Sequence, residues 1–159
     1  MKKLLFGILF WLIAFSVQAQ SPATIMPSFK FYTAAGTGFT KNQIPASKQS
    51  LVMFFDGTCG HCQKVMTDLA KREKELSGVN VYLISLDEFR TIDYFMNRYG
   101  QPLLGKKNVT LLQDRDHIFI PLFKPVKYPA LYLYSADKRL KIYTSDENDL
   151  PKLFSMLKS

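Results

Sequence analysis

The clearest signal along the chain is a change in hydrophobic period. Leu51-Val52-Met53-Phe54-Phe55 is a continuous apolar run bounded by polar residues and Gly57. A strand of that composition needs cover on both faces, which predicts a central strand of the parallel type. Downstream, Cys62, Val65, Met66 and Leu69 recur at i, i+3, i+4 and i+7, with Lys64, Asp68, Lys71 and Arg72 on the other face. That spacing puts one apolar stripe on a helix that begins after Cys59. Ser77-Gly78 stops it, the glycine being available for a left-handed cap. Val79-Asn80-Val81-Tyr82-Leu83-Ile84 reads as a second buried strand. Strand, helix and strand at this spacing predict a right-handed βαβ unit.

The pattern continues with a helix over residues 88–100, a short strand at Val109-Thr110-Leu111-Leu112, and a short helix from Asp116 to Phe123 stopped before Pro125. Ala130–Tyr134 and Leu140–Thr144 are two strands joined through Ser135–Arg139, a hairpin with Asp137 in its turn. Asp146 to Leu157 closes the chain as a helix, capped by Ser145 or Asp146, with Leu150, Leu153, Phe154 and Leu157 on one face. Ahead of the first strong strand, Phe29–Thr33 alternates only weakly and Ala34–Gly38 is rich in turn residues. The fold class is α/β, a central mixed sheet flanked by helices, with a C-terminal antiparallel hairpin and helix.

The opening segment follows a different logic. Lys2 and Lys3 precede an apolar stretch from Leu4 to Phe15, and Val17-Gln18-Ala19 is a small-x-small cleavage signal. Residues 1–19 therefore read as a secretory signal peptide cut before Gln20, leaving residues 20–159 as a single domain with a short N-terminal extension. As a helix the apolar stretch spans roughly 18 Å, short of the ~30 Å hydrocarbon core. An uncleaved N-terminal anchor is the alternative. Both readings place the protein outside the cytoplasm, and the expected location is the periplasm.

Composition narrows the class further. At 159 residues, 47% apolar and 21% charged, the chain has the make-up of one globular domain rather than a disordered segment. The net charge is +8, yet Lys64, Lys71, Arg72, Lys106, Lys124, Lys138 and the other basic residues are dispersed among acids. A solvated surface accounts for that better than a nucleic-acid patch, so no nucleic-acid partner is expected.

The only two cysteines stand in Cys59-Gly60-His61-Cys62, where the buried strand turns into the helix. A structural disulfide closing so small a loop would stabilise the fold by only roughly 2 kcal/mol. A zinc site needs four ligands, and beyond this pair only His61 and His117 are available as histidines. Covalent haem attachment requires a histidine directly after the second cysteine, where Gln63 stands. Redox chemistry fits the pattern better. Cys59 lies just before the helix, where free N–H groups and the macrodipole favour a thiolate. Cys62, one turn later on the apolar face, is expected to be buried and thiol-like. Cys59 is thus the expected attacking sulfur and Cys62 the one that resolves the mixed disulfide. A partly protonated His61 beside the thiolate would favour the reduced form and make the disulfide more oxidising.

The buried strand running into Cys59-x-x-Cys62 at a helix start, followed by Tyr128-Pro129 before a strand hairpin, resembles the thioredoxin-like superfamily. Pro129, in Lys127-Tyr128-Pro129-Ala130, occupies the place of that family's cis-proline, which lies against the active disulfide and limits metal binding there. The segment Asn108–Asp114 resembles the inserted element of exported TlpA/ResA-like thiol–disulfide oxidoreductases. The resemblance covers about residues 29–157. It implies an enzyme that exchanges or reduces disulfides in substrate proteins, holds no bound cofactor, and is reset by a membrane electron donor or acceptor. A metal-binding chaperone using the same cysteine pair and His61 is the alternative. The chain departs from the family in having Thr58 where tryptophan is usual and Met53 where thioredoxins have a buried acid. Gly60-His61 matches protein disulfide isomerases rather than the Gly-Pro of thioredoxins, which leaves the direction of electron flow open. The peroxiredoxin pattern of Pro and Thr ahead of the reactive cysteine is absent.

Overall fold

The computed structural model describes residues 21–157, so the segment 1–19, expected to be a signal peptide, lies outside the described residues. Its frame is β3 (Ser50–Phe55), buried at every position. It lies between β4 (Asn80–Ser85), which runs parallel to it, and β6 (Ala130–Tyr134), which runs antiparallel. The period-two alternation of a strand divides its side chains between two cores. Leu51, Met53 and Phe55 face the helices, while Val52 and Phe54 face an aromatic cluster that includes Phe31, Phe119, Phe123 and Tyr132. This double cover is what the unbroken apolar run requires.

β5 (Val109–Gln113) continues the parallel set beyond β4. β7 (Leu140–Thr144) pairs antiparallel with β6 at one edge of the sheet. At the other edge, β1 (Lys30–Tyr32) and β2 (Gly38–Thr40) form an antiparallel hairpin, giving the order β2-β1-β5-β4-β3-β6-β7. β2 was not expected from its sequence, because three residues, Gly-Phe-Thr, are too short to show a period.

α1 (Gly60–Lys71) buries Cys62, Val65, Met66, Leu69 and Ala70. It ends earlier than the Ser77-Gly78 stop predicts. From Arg72 onward the backbone tightens to i→i+3 hydrogen bonds, from Glu75 N–H to the Arg72 carbonyl (2.9 Å) and from Leu76 N–H to the Glu73 carbonyl (3.2 Å). The Arg72 guanidinium bonds Glu75 and lies 3.5 Å from the Phe154 ring centroid. The Asn108 side-chain amide donates to the carbonyls of Leu76 and Val79 at 2.9 and 2.8 Å, satisfying acceptors left by the unravelled turn. α2 (Phe89–Tyr99) buries Ile92, Phe95 and Met96 and stops at Gly100. A Cβ at Gly100 would stand 2.6 Å from Met96 Cε and 3.0 Å from Met66 Sδ, so a larger residue there would have to push the ends of both methionine side chains aside.

The next helix, α3 (Phe119–Phe123), starts three residues later than expected. His117 has φ 55°, outside the helical region. The buried Asp114 carboxylate accepts the N–H groups of Ile118 (3.0 Å) and Phe119 (2.7 Å), so it caps the helix at that point. α4 (Leu150–Leu157) follows a 3-10 turn at Glu147–Asp149, whose cap is Asp146 accepting from Asn148 N–H at 2.9 Å. The expected single helix from Asp146 is therefore two segments.

Candidate redox site

β3 delivers the cysteine motif. Its C-terminal end runs through Asp56-Gly57-Thr58 into α1, and two carboxylates hold this short loop. Asp56 Oδ1 accepts from Thr58 N–H at 2.7 Å and from Thr58 Oγ1 at 2.6 Å, while the Asp56 carbonyl accepts Cys59 N–H at 3.2 Å. Asp87, just past the end of β4, accepts Gly57 N–H at 2.8 Å and Ser85 Oγ at 3.0 Å. A Cβ at Gly57 would stand 2.9 Å from Thr91 Cγ2, and glycine alone permits this close approach. The loop is pinned before the reactive residue is reached.

Cys59 is the N-cap residue of α1, half-buried, and its Sγ accepts Cys62 N–H at 3.5 Å. An N-cap acceptor takes one of the unpaired amide donors of the first turn, and negative charge there meets the positive end of the helix dipole. Cys62 is wholly buried within the core formed by Val65, Met66 and Phe55. Burial pushes the Cys62 thiol far above the ordinary cysteine range, and the backbone of Asp56 offsets this only in part. The two sulfurs therefore sit in opposite environments within one helical turn, and both are free thiols here.

The Tyr128–Pro129 peptide bond is cis. Because Ala130 pairs with Phe54 across the β3–β6 ladder, Pro129 lies at the same end of the sheet as the cysteine motif. Pro129, His61 and Val65 line one cleft together with Ser145–Asn148. The Tyr128 ring packs on Phe54, centroids 4.9 Å apart. Its hydroxyl is pushed up to about 12, first by burial and then by the negative field of Asp56, Cys62, Asp87 and Asp114.

His61 is largely exposed. Its Nδ1 lies 3.9 Å from Glu147 Oε2, and Glu147 Oε1 is paired with Lys64. The 3-10 turn before α4 thereby reaches across to the helix that carries the cysteines. Met53, in the position of the thioredoxin acid, is fully buried apolar core. Sequence reasoning did not single out Asp87 or Glu147, and it named Tyr128 only as the residue before Pro129. Asp87 did carry a signal, since polar residues just outside the carboxyl ends of parallel strands line the functional edge of α/β sheets. Glu147 carried none, because its partners are more than 80 residues away. Among the described residues no group of three or more His, Cys, Asp or Glu is placed to hold a metal ion.

A mixed sheet between helices, with paired cysteines at a helix start and a cis-proline at the same end of the sheet, defines a thioredoxin-like protein. The chain belongs to the AhpC/TSA family, whose model matches residues 22–142. Among curated proteins no sequence matches it. Solved structures resemble it in fold. A secreted Mycobacterium tuberculosis disulfide oxidoreductase homologous to E. coli DsbE superposes with TM-score 0.64 at 20% identity, covering 81% of this chain and 96% of that one. The thioredoxin domain of a thiol-disulfide oxidoreductase from Bacteroides vulgatus gives 0.68 at 18% identity, covering 89% and 100%. BsSco, a member of the Sco family of cytochrome c oxidase assembly proteins, gives 0.66 at 19% identity, covering 89% and 96%.

Proposed function

We propose that the protein is an exported thiol–disulfide oxidoreductase that exchanges or reduces disulfides of substrate proteins through Cys59 and Cys62. The observation that carries this reading is the asymmetry of the pair. One sulfur is accessible at a helix N-terminus, and the other is buried and held as a thiol one turn away. The half-buried Cys59 attacks a substrate disulfide, and the mixed disulfide that results is opened by Cys62. His61 adds positive character beside the attacking sulfur, and Pro129 borders the same cleft. A membrane electron donor or acceptor resets the pair, in the periplasm after residues 1–19 are removed. The similarity in fold to a secreted disulfide oxidoreductase supports this reading.

The reduction potential of the Cys59–Cys62 couple, with turnover of insulin disulfides, tests the proposal. A value near ~−270 mV marks a reductase and one near ~−120 mV an oxidant. A pair that forms no reversible disulfide, or a protein inert towards insulin in both directions, refutes the assignment. Export is tested separately by the intact mass of the protein recovered outside the cytoplasm, which should correspond to a chain starting at or close to Gln20.

A further inference from the structure

The turn between β7 and α4 holds three carboxylates, Asp146, Glu147 and Asp149, and two of them are spent on the turn itself. Asp146 Oδ1 accepts Asn148 N–H and Asn148 Nδ2, each at 2.9 Å. Asp149 Oδ2 accepts the hydroxyl of the buried Thr144 at 2.8 Å, and the same Thr144 oxygen accepts Asp146 N–H at 3.0 Å. These bonds fix the 3-10 turn Glu147–Asp149 and leave Glu147 as the carboxylate that reaches α1.

Glu147 meets α1 at two places. Its Oε1 accepts from Lys64 Nζ, and that hydrogen bond, followed by the charge of Glu147, raises the Lys64 ammonium above the ordinary lysine range. Its Oε2 is shut off from solvent and accepts no hydrogen bond, and the nitrogen facing it, His61 Nδ1, stands 3.9 Å away. A buried carboxylate oxygen without a donor is costly, and a proton on Nδ1 satisfies it once the ring closes the gap. The ring is free to turn, since the His61 side chain is 80% exposed against 23% for Glu147. Cys59 Sγ, two residues before His61, meanwhile takes the Cys62 amide at 3.5 Å. A ring drawn to Glu147 gives less of its charge to Cys59, because attraction falls with distance and a carboxylate at contact offsets the field of the cation.

We propose that Glu147 is a positioning residue of the redox pair. It draws the His61 ring and the Lys64 ammonium to the α4 side of the cleft, away from Cys59, and so holds the couple at a lower reduction potential than the Cys-Gly-His-Cys motif would have alone. The inference rests on the oxidoreductase reading and adds what limits the oxidising effect of His61. Against glutathione, the Cys59–Cys62 disulfide and two glutathione thiols become one glutathione disulfide, a Cys59 thiolate and a Cys62 thiol. Two electrons pass to the pair and one proton is released to solvent. The new charge is on Cys59, so a cation released towards it favours the reduced side.

The test compares this equilibrium in the wild type, Glu147→Gln, His61→Asn and the double variant, in glutathione buffers at low salt and at pH 6 to favour the charged ring. Glutamine keeps an oxygen for Lys64 Nζ and removes the charge. Glu147→Gln should shift the equilibrium constant towards the dithiol by about threefold, the scale of an exposed ion pair. The shift should shrink as salt rises. In the His61→Asn background the same substitution should do distinctly less, and the ratio of the two shifts measures the coupling through the ring. Iodoacetamide should also alkylate Cys59 faster in Glu147→Gln than in the wild type. Glu147→Asp keeps the charge and shortens its reach, so it should move the constant the same way by less, and it decides the matter if Glu147→Gln does not fold. No shift, a shift towards the disulfide, or equal shifts with and without His61 overturns the role of Glu147 and leaves the redox reading standing. A wild type that forms no reversible disulfide overturns that reading, and this one with it.

Discussion

The Cys62 backbone N–H points at the Cys59 sulfur from 3.5 Å, while the Cys62 sulfur is turned into the core and shut off from solvent. One residue thus supports charge on its partner's sulfur and withholds its own. The same helical turn that spaces the two cysteines produces both effects, since N-cap and N3 positions differ by one orphan donor and by the face they present.

The burial of Cys62 has a consequence for stability against pH. Its folded-state pKa is raised by desolvation, so the folded protein keeps this proton after the unfolded chain has lost it. The contribution is fully present below the unfolded value of about 8.5 and declines as pH rises above it. Between about pH 8.5 and 10 this loss should approach ~1.4 kcal/mol per pH unit for the one proton. The buried tyrosines Tyr82, Tyr132 and Tyr134 and the half-buried Tyr128 are raised as well and enter only above about pH 10. Urea denaturation of the reduced protein at pH 7.5 and 9.5 measures this. Cys62→Ala should flatten the decline, whatever its cost at pH 7.5, and an equal slope in both proteins would mean that Cys62 ionises as easily folded as unfolded.

Asp87 offers a test of the loop brace. Its carboxylate receives the Gly57 amide at 2.8 Å and the Ser85 hydroxyl at 3.0 Å, and its removal leaves both donors without that acceptor. Asp87→Ala should cost about 1–3 kcal/mol in unfolding free energy. It should also speed hydrogen exchange at Gly57 more than at amides in β4. If Gly57 exchange is unchanged, the Asp56 turn alone holds the loop.

How much of this was visible in the sequence depends on the range over which each feature is encoded. The unbroken run Leu51–Phe55 and the stripe Cys62–Leu69 are local patterns, and β3 and α1 appear where those patterns place them. The ends of elements were less legible, because distant side chains decide them. Asn108 satisfies carbonyls beyond the end of α1, and Asp114 sets the start of α3. The cysteine pair and Pro129 stood out because their chemistry is unusual at those positions. Asp87, Tyr128 and Glu147 are ordinary residues in sequence, and they border the site only because the end of β4, the start of β6 and the turn before α4 meet at the same end of the sheet.

His61 occupies the second position of α1, where proline is tolerated because the amide it would lose has no intrahelical partner. His61→Pro is therefore a structurally mild change that removes a positively polarised neighbour of Cys59. The reduction potential should fall by several tens of millivolts, since ~30 mV corresponds to about 1.4 kcal/mol for a two-electron couple. Equilibration with a glutathione buffer measures it. An unchanged potential would assign the His61 ring to its contact with Glu147 instead, 3.9 Å away.

The final prediction separates the roles of the two sulfurs. Cys59 is half-buried at the helix start, so it can meet a substrate disulfide, whereas Cys62 has no exposed surface. Cys62→Ser should leave a protein that attacks substrates and then stalls, because no second thiol remains to open the mixed disulfide. It should accumulate as covalent adducts with its natural partners, which mass spectrometry resolves before and after reduction. Cys59→Ser should yield no such adducts and reduce no insulin, because the remaining sulfur is enclosed and held protonated by burial. In the reduced wild type, alkylation at neutral pH should label Cys59 well ahead of Cys62 by peptide mapping. Equal trapping by the two variants would mean that the first turn of α1 opens readily enough to expose Cys62, and the asymmetry between the sulfurs would no longer explain the chemistry.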